Sequence, residues 1–157
     1  KEGFEDKIES YTTQGAVKSD SVRMDVKMKA IKEEPVIGRN IGTVYWEYDR
    51  DNLTNGAPDT LRQVVDFMMA NPRYVIEVGS HTDSRGTDEY NLKLSERRSQ
   101  SVVKFLLSKK IPKTSLVVKA YGESKPIAPN ENPDGSDSEL GRKQNRRTEF
   151  RIVEEVK

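Results

Sequence analysis

The sequence predicts an α+β domain in which two helices pack on one face of a mixed β-sheet. Three observations support this prediction: short runs rich in β-branched and aromatic residues, two longer stretches with helical spacing of apolar residues, and turn residues between them. The order β-α-β-α-β-(loop)-β, a two-layer sandwich, covers residues 42–157. In front of it we expect a β appendage at residues 1–33 and a linker at residues 34–41.

The appendage is predicted from the alternation of apolar and polar residues between Val22 and Ala30, which is the period of a half-buried strand. This segment resembles the last strands of a carboxypeptidase regulatory-like β-domain. An extra strand packed on the main domain would explain the same alternation. Pro35 interrupts a strand ladder and therefore favours the linker.

The main domain begins with a strand and a helix. The strand is expected at Gly42–Tyr48, a run of β-branched and aromatic residues. The helix is expected at Asp59–Ala70, where apolar residues follow helical spacing: Leu61, Val64, Val65, Phe67 and Met68. It should end before Pro72, because proline disfavours helical geometry in the preceding residue.

The second strand, Arg73–Gly79, leads through a polar turn into a long helix at Thr87–Lys110. The helix residues expected to face the sheet are Leu92, Val102, Val103 and Leu106. Ser95 and Ser99 fall on the same side, where their small size allows the helix to approach the sheet closely.

The last third of the chain supplies two strands and a long connection. Leu116–Tyr121 is the third strand, and the following residues 126–141 are rich in Asn, Pro, Gly and Ser, which is typical of an exposed loop. A short helical turn is expected at Gly141–Asn145. The alternating segment Thr148–Val153 is the last strand.

The composition limits the classes of function. Hydrophobic residues make up 33% and charged residues 34%, with a net charge of +1. Charges of both signs are interspersed, so the sequence shows no basic patch of the kind that nucleic-acid binding requires. Without cysteine and with one histidine, the chain predicts no disulfide, no metal site and no cofactor. No apolar run is long enough to span a membrane. Since the chain starts abruptly at Lys1 without a signal peptide, we interpret it as a mature product or an excised fragment.

A candidate binding site is predicted where the second strand ends. Asn91, Leu94 and Arg98 are three and seven residues apart, which places them within roughly 60° on one helix face. This face points back to the turn that carries Asp83. Such a junction of a strand end and a helix start is a common ligand site, and one fixed anion with one fixed cation suits a zwitterion. Alternatively, Asp83 and Arg98 form a plain ion pair that closes the turn.

The same residues carry a family resemblance. The motif His81–Gly86 and the pairs Tyr90-Asn91, Leu94-Ser95, Arg97-Arg98 and Val102-Val103 match OmpA-like peptidoglycan-binding domains, which include Pal lipoproteins and the MotB periplasmic domain. Two later elements, Gly122–Pro126 and Gly141-Arg142 with Asn145–Arg147, match the family's closing motifs. The resemblance runs from about residue 42 to residue 153.

The resemblance implies non-catalytic binding of peptidoglycan. Asp83 and Arg98 would grip the amino-acid head of diaminopimelate in the stem peptide, Arg98 through a carboxylate and Asp83 through an ammonium. Further binding residues would be Thr82, Asn91, Leu94, Asp49 and Tyr48. The implied location is the periplasm, tied to the outer membrane through parts outside this chain, with other envelope proteins as further partners.

Several of these residues have structural alternatives. Asn91 could make a helix-start contact, Leu94 could pack in the core, and Asp49 could serve a turn. Asn145, Arg146 and Arg147 form a basic corner before the last strand. They could contact glycan or peptide, but we expect them to brace the Asp83 turn, because an asparagine before a strand usually serves a turn. Tyr48-Asp49-Arg50 also departs mildly from the family's commoner Phe-Asp-Lys.

The sequence is compatible with two rival functions. The first is a protein-interaction or assembly domain of an envelope machine, such as a secretion-system or stator component, with little wall binding. The second is a hydrolase that uses His81 and Asp83. The sequence lacks a recognisable nucleophile motif or metal set, which counts against the hydrolase.

Overall fold

The computed structural model describes residues 36–53 and 58–156. Its elements are β1 (Asn40–Tyr45), α1 (Asp59–Ala70), β2 (Tyr74–His81), α2 (Asp88–Ser108), β3 (Leu116–Gly122), α3 (Glu139–Asn145) and β4 (Arg147–Glu155), with a short 3-10 turn at Lys113–Ser115. The predicted β appendage at residues 1–33, and the beginning of the predicted linker, lie outside the described residues.

The four strands form one mixed sheet in the order β1-β4-β2-β3. β2 and β3 run parallel, as expected for strands joined by the crossover helix α2. β4 fills the centre and runs antiparallel to both β1 and β2. The predicted α+β architecture with a mixed sheet is therefore confirmed.

The core lies between the sheet and the two long helices. α1 contacts β1, whereas α2 contacts β2 and β3. Fully buried apolar side chains from both layers meet there: Leu61, Val64, Ile76, Val78, Val102, Leu106, Phe150 and Ile152. Within residues 36–53 and 58–156, no helix combines the length and the apolar composition that a membrane span requires.

The strand residues between these core positions point to the other side of the sheet, because side chains alternate along a strand. We call this side the opposite face. It carries Glu77, Gly79 and His81 of β2, Tyr121 of β3, and Arg147, Glu149 and Arg151 of β4.

The first strand differs from its prediction. It begins at Asn40, inside the expected linker, and ends at Tyr45 rather than Tyr48. The next residue, Trp46, is buried; its indole N–H donates to the Thr148 hydroxyl over 2.8 Å. The chain then leaves the sheet, and Asp49 adopts a left-handed backbone with φ of 54°. The aromatic run therefore supplies a core anchor and a loop beyond the strand end.

One prediction about α2 is wrong. Leu92 is 49% exposed and does not face the sheet. The first half of α2 instead turns Asn91, Leu94 and Ser95 inward. The close approach predicted from the two serines is confirmed, since the Ser99 hydroxyl donates to Ser80 of β2 over 2.8 Å.

Candidate functional site

A small cavity of about 130 Å³ lies at the carboxyl end of β2. We call it the Asp83 pocket. All seven residues predicted from the sequence line it: Tyr48, Asp49, Thr82, Asp83, Asn91, Leu94 and Arg98. Four further residues complete its wall: Arg85, Gly86, Tyr90 and Arg146.

Local sequence explains how the turn places Asp83. Thr87 caps α2, because its hydroxyl accepts the backbone N–H of Tyr90, and two acidic residues follow in the first turn. Gly86 directly before the cap has a φ of 105°, a backbone conformation that glycine adopts readily. The backbone N–H of Arg85 donates to the Asp83 carboxylate over 3.1 Å. The turn thus closes on itself and holds this carboxylate at the pocket.

Arg98 is fixed by backbone carbonyls. It is fully buried, and its Nε, Nη1 and Nη2 atoms donate to the carbonyl oxygens of Arg50, His81 and Glu47 over 2.8, 3.0 and 3.2 Å. A guanidinium carries five N–H groups, so about two remain for another acceptor. These three carbonyls orient the group without neutralising it.

The charge of Arg98 has no direct counter-ion in the described part of the chain, where no carboxylate lies within 4.0 Å of it. Burial lowers its pKa to about 10; the field of Asp83 opposes this effect, and the field of Arg146 adds to it. Arg98 therefore stays cationic at neutral pH, in a place where a charge is costly without a partner. The alternative of a direct Asp83–Arg98 ion pair is wrong.

Asp83 is paired with Arg146 instead. The two side chains are both buried, and Arg146 Nη1 donates to Asp83 Oδ2 over 2.8 Å. Arg146 is itself held by Glu139 and by the carbonyl of Trp46. The predicted bracing of the Asp83 turn is therefore confirmed for Arg146 but not for its neighbours. Asn145 bonds the backbone of Ile127 and Ala128, and Arg147 bonds Glu149. Since a carboxylate can accept about four hydrogen bonds, Asp83 keeps acceptor capacity towards the pocket.

Thr82 contributes an unsatisfied hydroxyl. Its backbone N–H donates to the carbonyl of Gly122 over 2.9 Å, which fixes the residue against β3. Its Oγ1 atom is buried and has no hydrogen-bond partner in the described structure. Buried polar atoms are nearly always paired, so an orphan hydroxyl beside a cavity indicates a place for a ligand or a water molecule.

The remaining predicted residues form the rim and one wall. Asn91 is buried and donates to the Glu123 carboxylate, so it lines the pocket and also joins α2 to the end of β3. Leu94 supplies an apolar surface. At the mouth, the Tyr90 hydroxyl donates to Asp49.

Arg85 and Tyr90 were not predicted as lining residues. The guanidinium of Arg85 lies 5.5 Å from the ring centroid of Tyr48, an arrangement that closes one side of the rim. Tyr90 lies in the first turn of α2 beside Asn91, and its exposed position gave no periodic signal of burial.

His81 belongs to another part of the molecule. It lies on the opposite face, where its ring stacks on Tyr121 with centroids 4.9 Å apart. Burial, followed by the field of Arg147, lowers its pKa to about 4, so the imidazole is neutral at pH 7. His81 and Asp83 do not line a common cavity, which leaves the hydrolase hypothesis without a catalytic pair.

Comparison with known proteins agrees with this architecture. The OmpA family model matches residues 45–139. Photosystem I P700 chlorophyll a apoprotein A2 of Gloeobacter violaceus is 42% identical over 113 residues, which are 72% of this chain and 13% of that protein. The peptidoglycan-associated lipoprotein of Pseudomonas putida is 37% identical over 122 residues, which are 78% of this chain and 69% of that protein.

Among solved structures, the peptidoglycan-associated lipoprotein from Burkholderia pseudomallei superposes with a TM-score of 0.62 at 26% identity, over 70% of this chain and 88% of that one. The chain spans only part of the length of these relatives, and 13% of the photosystem protein. The family match covers well over half of the chain and includes β2, α2 and the turn between them. The chain therefore belongs to the OmpA family.

Proposed function

We propose that this domain binds peptidoglycan without catalysis, gripping the diaminopimelate head of a stem peptide in the Asp83 pocket. It would thereby tether an outer-membrane protein or envelope complex to the cell wall, on the periplasmic side. Family membership supports this, as does the similarity to a Pseudomonas putida protein named a peptidoglycan-associated lipoprotein. The anchor to the membrane would lie in parts outside this chain.

The observation that carries the proposal is the state of Arg98. Its guanidinium is buried, oriented by three carbonyls, and has about two N–H groups to spare. No carboxylate of the described chain touches it. A carboxylate from a ligand would supply the missing counter-ion and form charge-assisted hydrogen bonds, which are the strong and orienting kind.

Asp83 and Thr82 supply the complementary contacts. The spare acceptor capacity of Asp83 suits an ammonium group, and the orphan hydroxyl of Thr82 can bond either part of the ligand. The pocket volume of about 130 Å³ equals that of roughly four waters at about 30 Å³ each. It therefore admits an amino-acid head, while the rest of the peptide would lie outside.

Calorimetry with a diaminopimelate-containing stem peptide, together with pull-down on purified sacculi, tests the proposal. Asp83→Asn keeps the shape of the side chain and removes its charge, and Arg98→Lys keeps the charge and loses the planar fork. We expect each to weaken peptide binding at least about tenfold. Lys93→Ala is the control, because Lys93 is an exposed residue of the same helix, pairs with Glu89 and does not line the pocket.

A second ligand sharpens the test. The same stem peptide with lysine in place of diaminopimelate lacks the carboxylate that Arg98 would bind. We expect it to bind at least about tenfold more weakly, the scale of one lost charge-assisted contact. Equal binding of both peptides would contradict the assigned role of Arg98.

The same experiments distinguish wall binding from the rival functions. If folded Asp83→Asn and Arg98→Lys variants bind sacculi as well as the wild type does, the wall site lies elsewhere. If the wild type itself does not bind sacculi or peptide, the domain acts through a protein partner of an envelope machine. Release of soluble fragments from sacculi would instead show hydrolysis.

A further inference from the structure

The opposite face of the sheet carries a second and larger cavity, of about 400 Å³. We call it the opposite-face cavity. It lies between β2, β3, β4 and the loop after β3, and the residues that matter for its chemistry are His81, Tyr121, Lys125, Arg147, Glu149 and Arg151. None of its lining residues lines the Asp83 pocket.

The carboxylates of this cavity are already engaged. Glu149 accepts hydrogen bonds from Nε of Arg147 over 2.7 Å and from Nε of Arg151 over 2.8 Å. Glu77 accepts the Tyr121 hydroxyl over 2.8 Å. Neither carboxylate is positioned as a free site for a cation.

The cations are in excess. The Lys125 ammonium lies 3.8 Å from the centroid of the Tyr121 ring and has no carboxylate within ion-pair distance among the described residues. Lys119 falls on the same face, opposite Gly79 in the register. Among the residues that line the cavity, the three cations Lys125, Arg147 and Arg151 outnumber the two carboxylates Glu77 and Glu149.

The pKa of His81 reflects the positive field of this cavity. Besides burial, the charges of Arg147, Lys125 and Arg151 all lower its pKa, and Glu149 opposes them only in part. Its Nδ1 atom is buried without a hydrogen-bond partner in the described structure. The charge state of the ring is therefore not fixed by a bonded neighbour, and it will respond to an ion that enters the cavity.

Exposed apolar residues flank the charges. Tyr45 of β1 pairs with Arg147, and Val153 continues the same side of β4 beyond Arg151. Ile127 borders the cavity on the loop after β3 and is 55% exposed. A surface that combines spare cations with apolar side chains suits a protein segment better than a free ion.

We propose that the opposite-face cavity binds a carboxylate of an acidic segment from a partner protein, with Lys125 and Arg151 as the contacting cations. This site is separate from the wall-binding function proposed above and does not depend on it. The partner's carboxylate would add the negative charge that the face lacks, and its neighbouring apolar side chains would cover Tyr45 and Ile127.

His81 is the single histidine of the chain, so its ring resonances report on the cavity without ambiguity. We would titrate the full chain with capped hexaglutamate and with capped hexaglutamine, and follow the His81 signals by NMR. Hexaglutamate should shift them saturably and should raise the His81 pKa, because a nearby negative charge favours the imidazolium form. Hexaglutamine should do neither.

Variants locate the effect. Lys125→Gln and Arg151→Gln should each weaken hexaglutamate binding at least about threefold, whereas Lys104→Gln, an exposed lysine of α2, should leave it unchanged. Asp83→Asn should bind hexaglutamate like the wild type, so failure of the wall proposal would not affect this result. An undisturbed His81 in the presence of hexaglutamate, or inorganic phosphate that binds as tightly as the peptide, would overturn the proposal.

Discussion

The Asp83 pocket and the opposite-face cavity flank the same strand, yet they handle charge in different ways. In the pocket, Arg98 is held by neutral carbonyls, so its full charge is available to a ligand. In the cavity, Glu149 is shared between Arg147 and Arg151, so most of the charge there is neutralised within the protein.

A small domain can thus orient a charged side chain without neutralising its charge. Carbonyl acceptors fix a cation in space and leave its charge available, which suits a defined zwitterionic head. An ion pair fixes a cation and offsets part of its charge, so the cations left to attract a partner are the exposed Lys125 and Arg151, which shares Glu149 but is itself half exposed. The pocket should therefore discriminate between ligands and lose binding when its residues are substituted. The cavity should accept a wider range of acidic ligands.

The largest effect is expected for Arg98→Ala. The carbonyls of Arg50, His81 and Glu47 would lose a charged donor. Hydrogen bonds to charged groups are worth roughly 1.5–3 kcal/mol each, so the free energy of unfolding should fall by at least about 3 kcal/mol. Urea denaturation measures this. Arg97→Ala, which loses one exposed ion pair to Asp51, should cost less than about 1 kcal/mol. Similar losses for both variants would show that the carbonyl cradle does not stabilise the fold.

The second-largest loss of stability is expected for Gly141→Ala, at a close backbone contact near both cavities. A Cβ atom on Gly141 of α3 would lie 1.8 Å from the carbonyl oxygen of Pro129, so Gly141→Ala must displace the loop or the helix. We expect a loss of about 1–3 kcal/mol, the scale of overpacking, in thermal unfolding. Because α3 leads directly into Arg146 and Arg147, binding at both cavities should weaken together.

Gly135→Ala is the matched control for this substitution. Gly135 has a φ of 80°, and nothing lies within 4 Å of the added Cβ atom. It should cost only the left-handed backbone strain, about 1 kcal/mol, and leave both binding activities intact. Reduced binding in Gly135→Ala would place the effect in the loop rather than in α3.

The pH dependence of stability should reveal the low pKa of His81 in the opposite-face cavity. The pKa of His81 is about 4 in the folded chain, whereas an unperturbed histidine has a pKa of 6.5. The unfolded state therefore binds more protons between these values, so the His81 contribution to stability declines as the pH falls from about 6.5 to about 4. His81→Gln should flatten this part of the profile, measured by urea denaturation at several pH values. An unchanged slope would contradict the assigned pKa.

The smallest effect on stability is expected for Thr82→Val. It removes a hydroxyl that bonds nothing in the described structure, so the free energy of unfolding should change by less than about 0.5 kcal/mol. Stem-peptide binding should nevertheless fall, as calorimetry would show. Thr148→Val should instead lower the free energy of unfolding and leave stem-peptide binding unchanged. The Thr148 hydroxyl bonds both Trp46 and Ser80 and lies outside the pocket. Binding by Thr82→Val at wild-type strength would remove Thr82 from the site.

Local patterns explain what could be predicted from the sequence. The bounds of α1 agree with their prediction, because apolar spacing and Pro72 determine them within a few residues. The meeting of Asp83 with the face of Arg98 also follows from a turn and a helix that are adjacent in the chain. The bracing of the turn was predicted for Asn145–Arg147 as a group, because an asparagine often serves the turn before a strand, but the pattern could not say that Arg146 makes the contact.

Long-range partners explain what could not be predicted. The carbonyls of Glu47 and Arg50 come to Arg98 from 51 and 48 residues away, and backbone oxygens carry no residue-specific signal. Leu92 was misplaced because helical period alone does not say which of two faces the sheet will cover. In α2 the packed stripe near the pocket is polar, which hydrophobic patterning cannot detect.

The three-carbonyl cradle of Arg98 also has a mechanical meaning. If the bound wall peptide is pulled, the load passes from the guanidinium into the loop after β1 and into the end of β2 at the same time. β2 is hydrogen-bonded on both sides, to β3 and to β4, so the force spreads over the middle of the sheet. A ligand held in this way stresses several bonds in parallel rather than unzipping one edge.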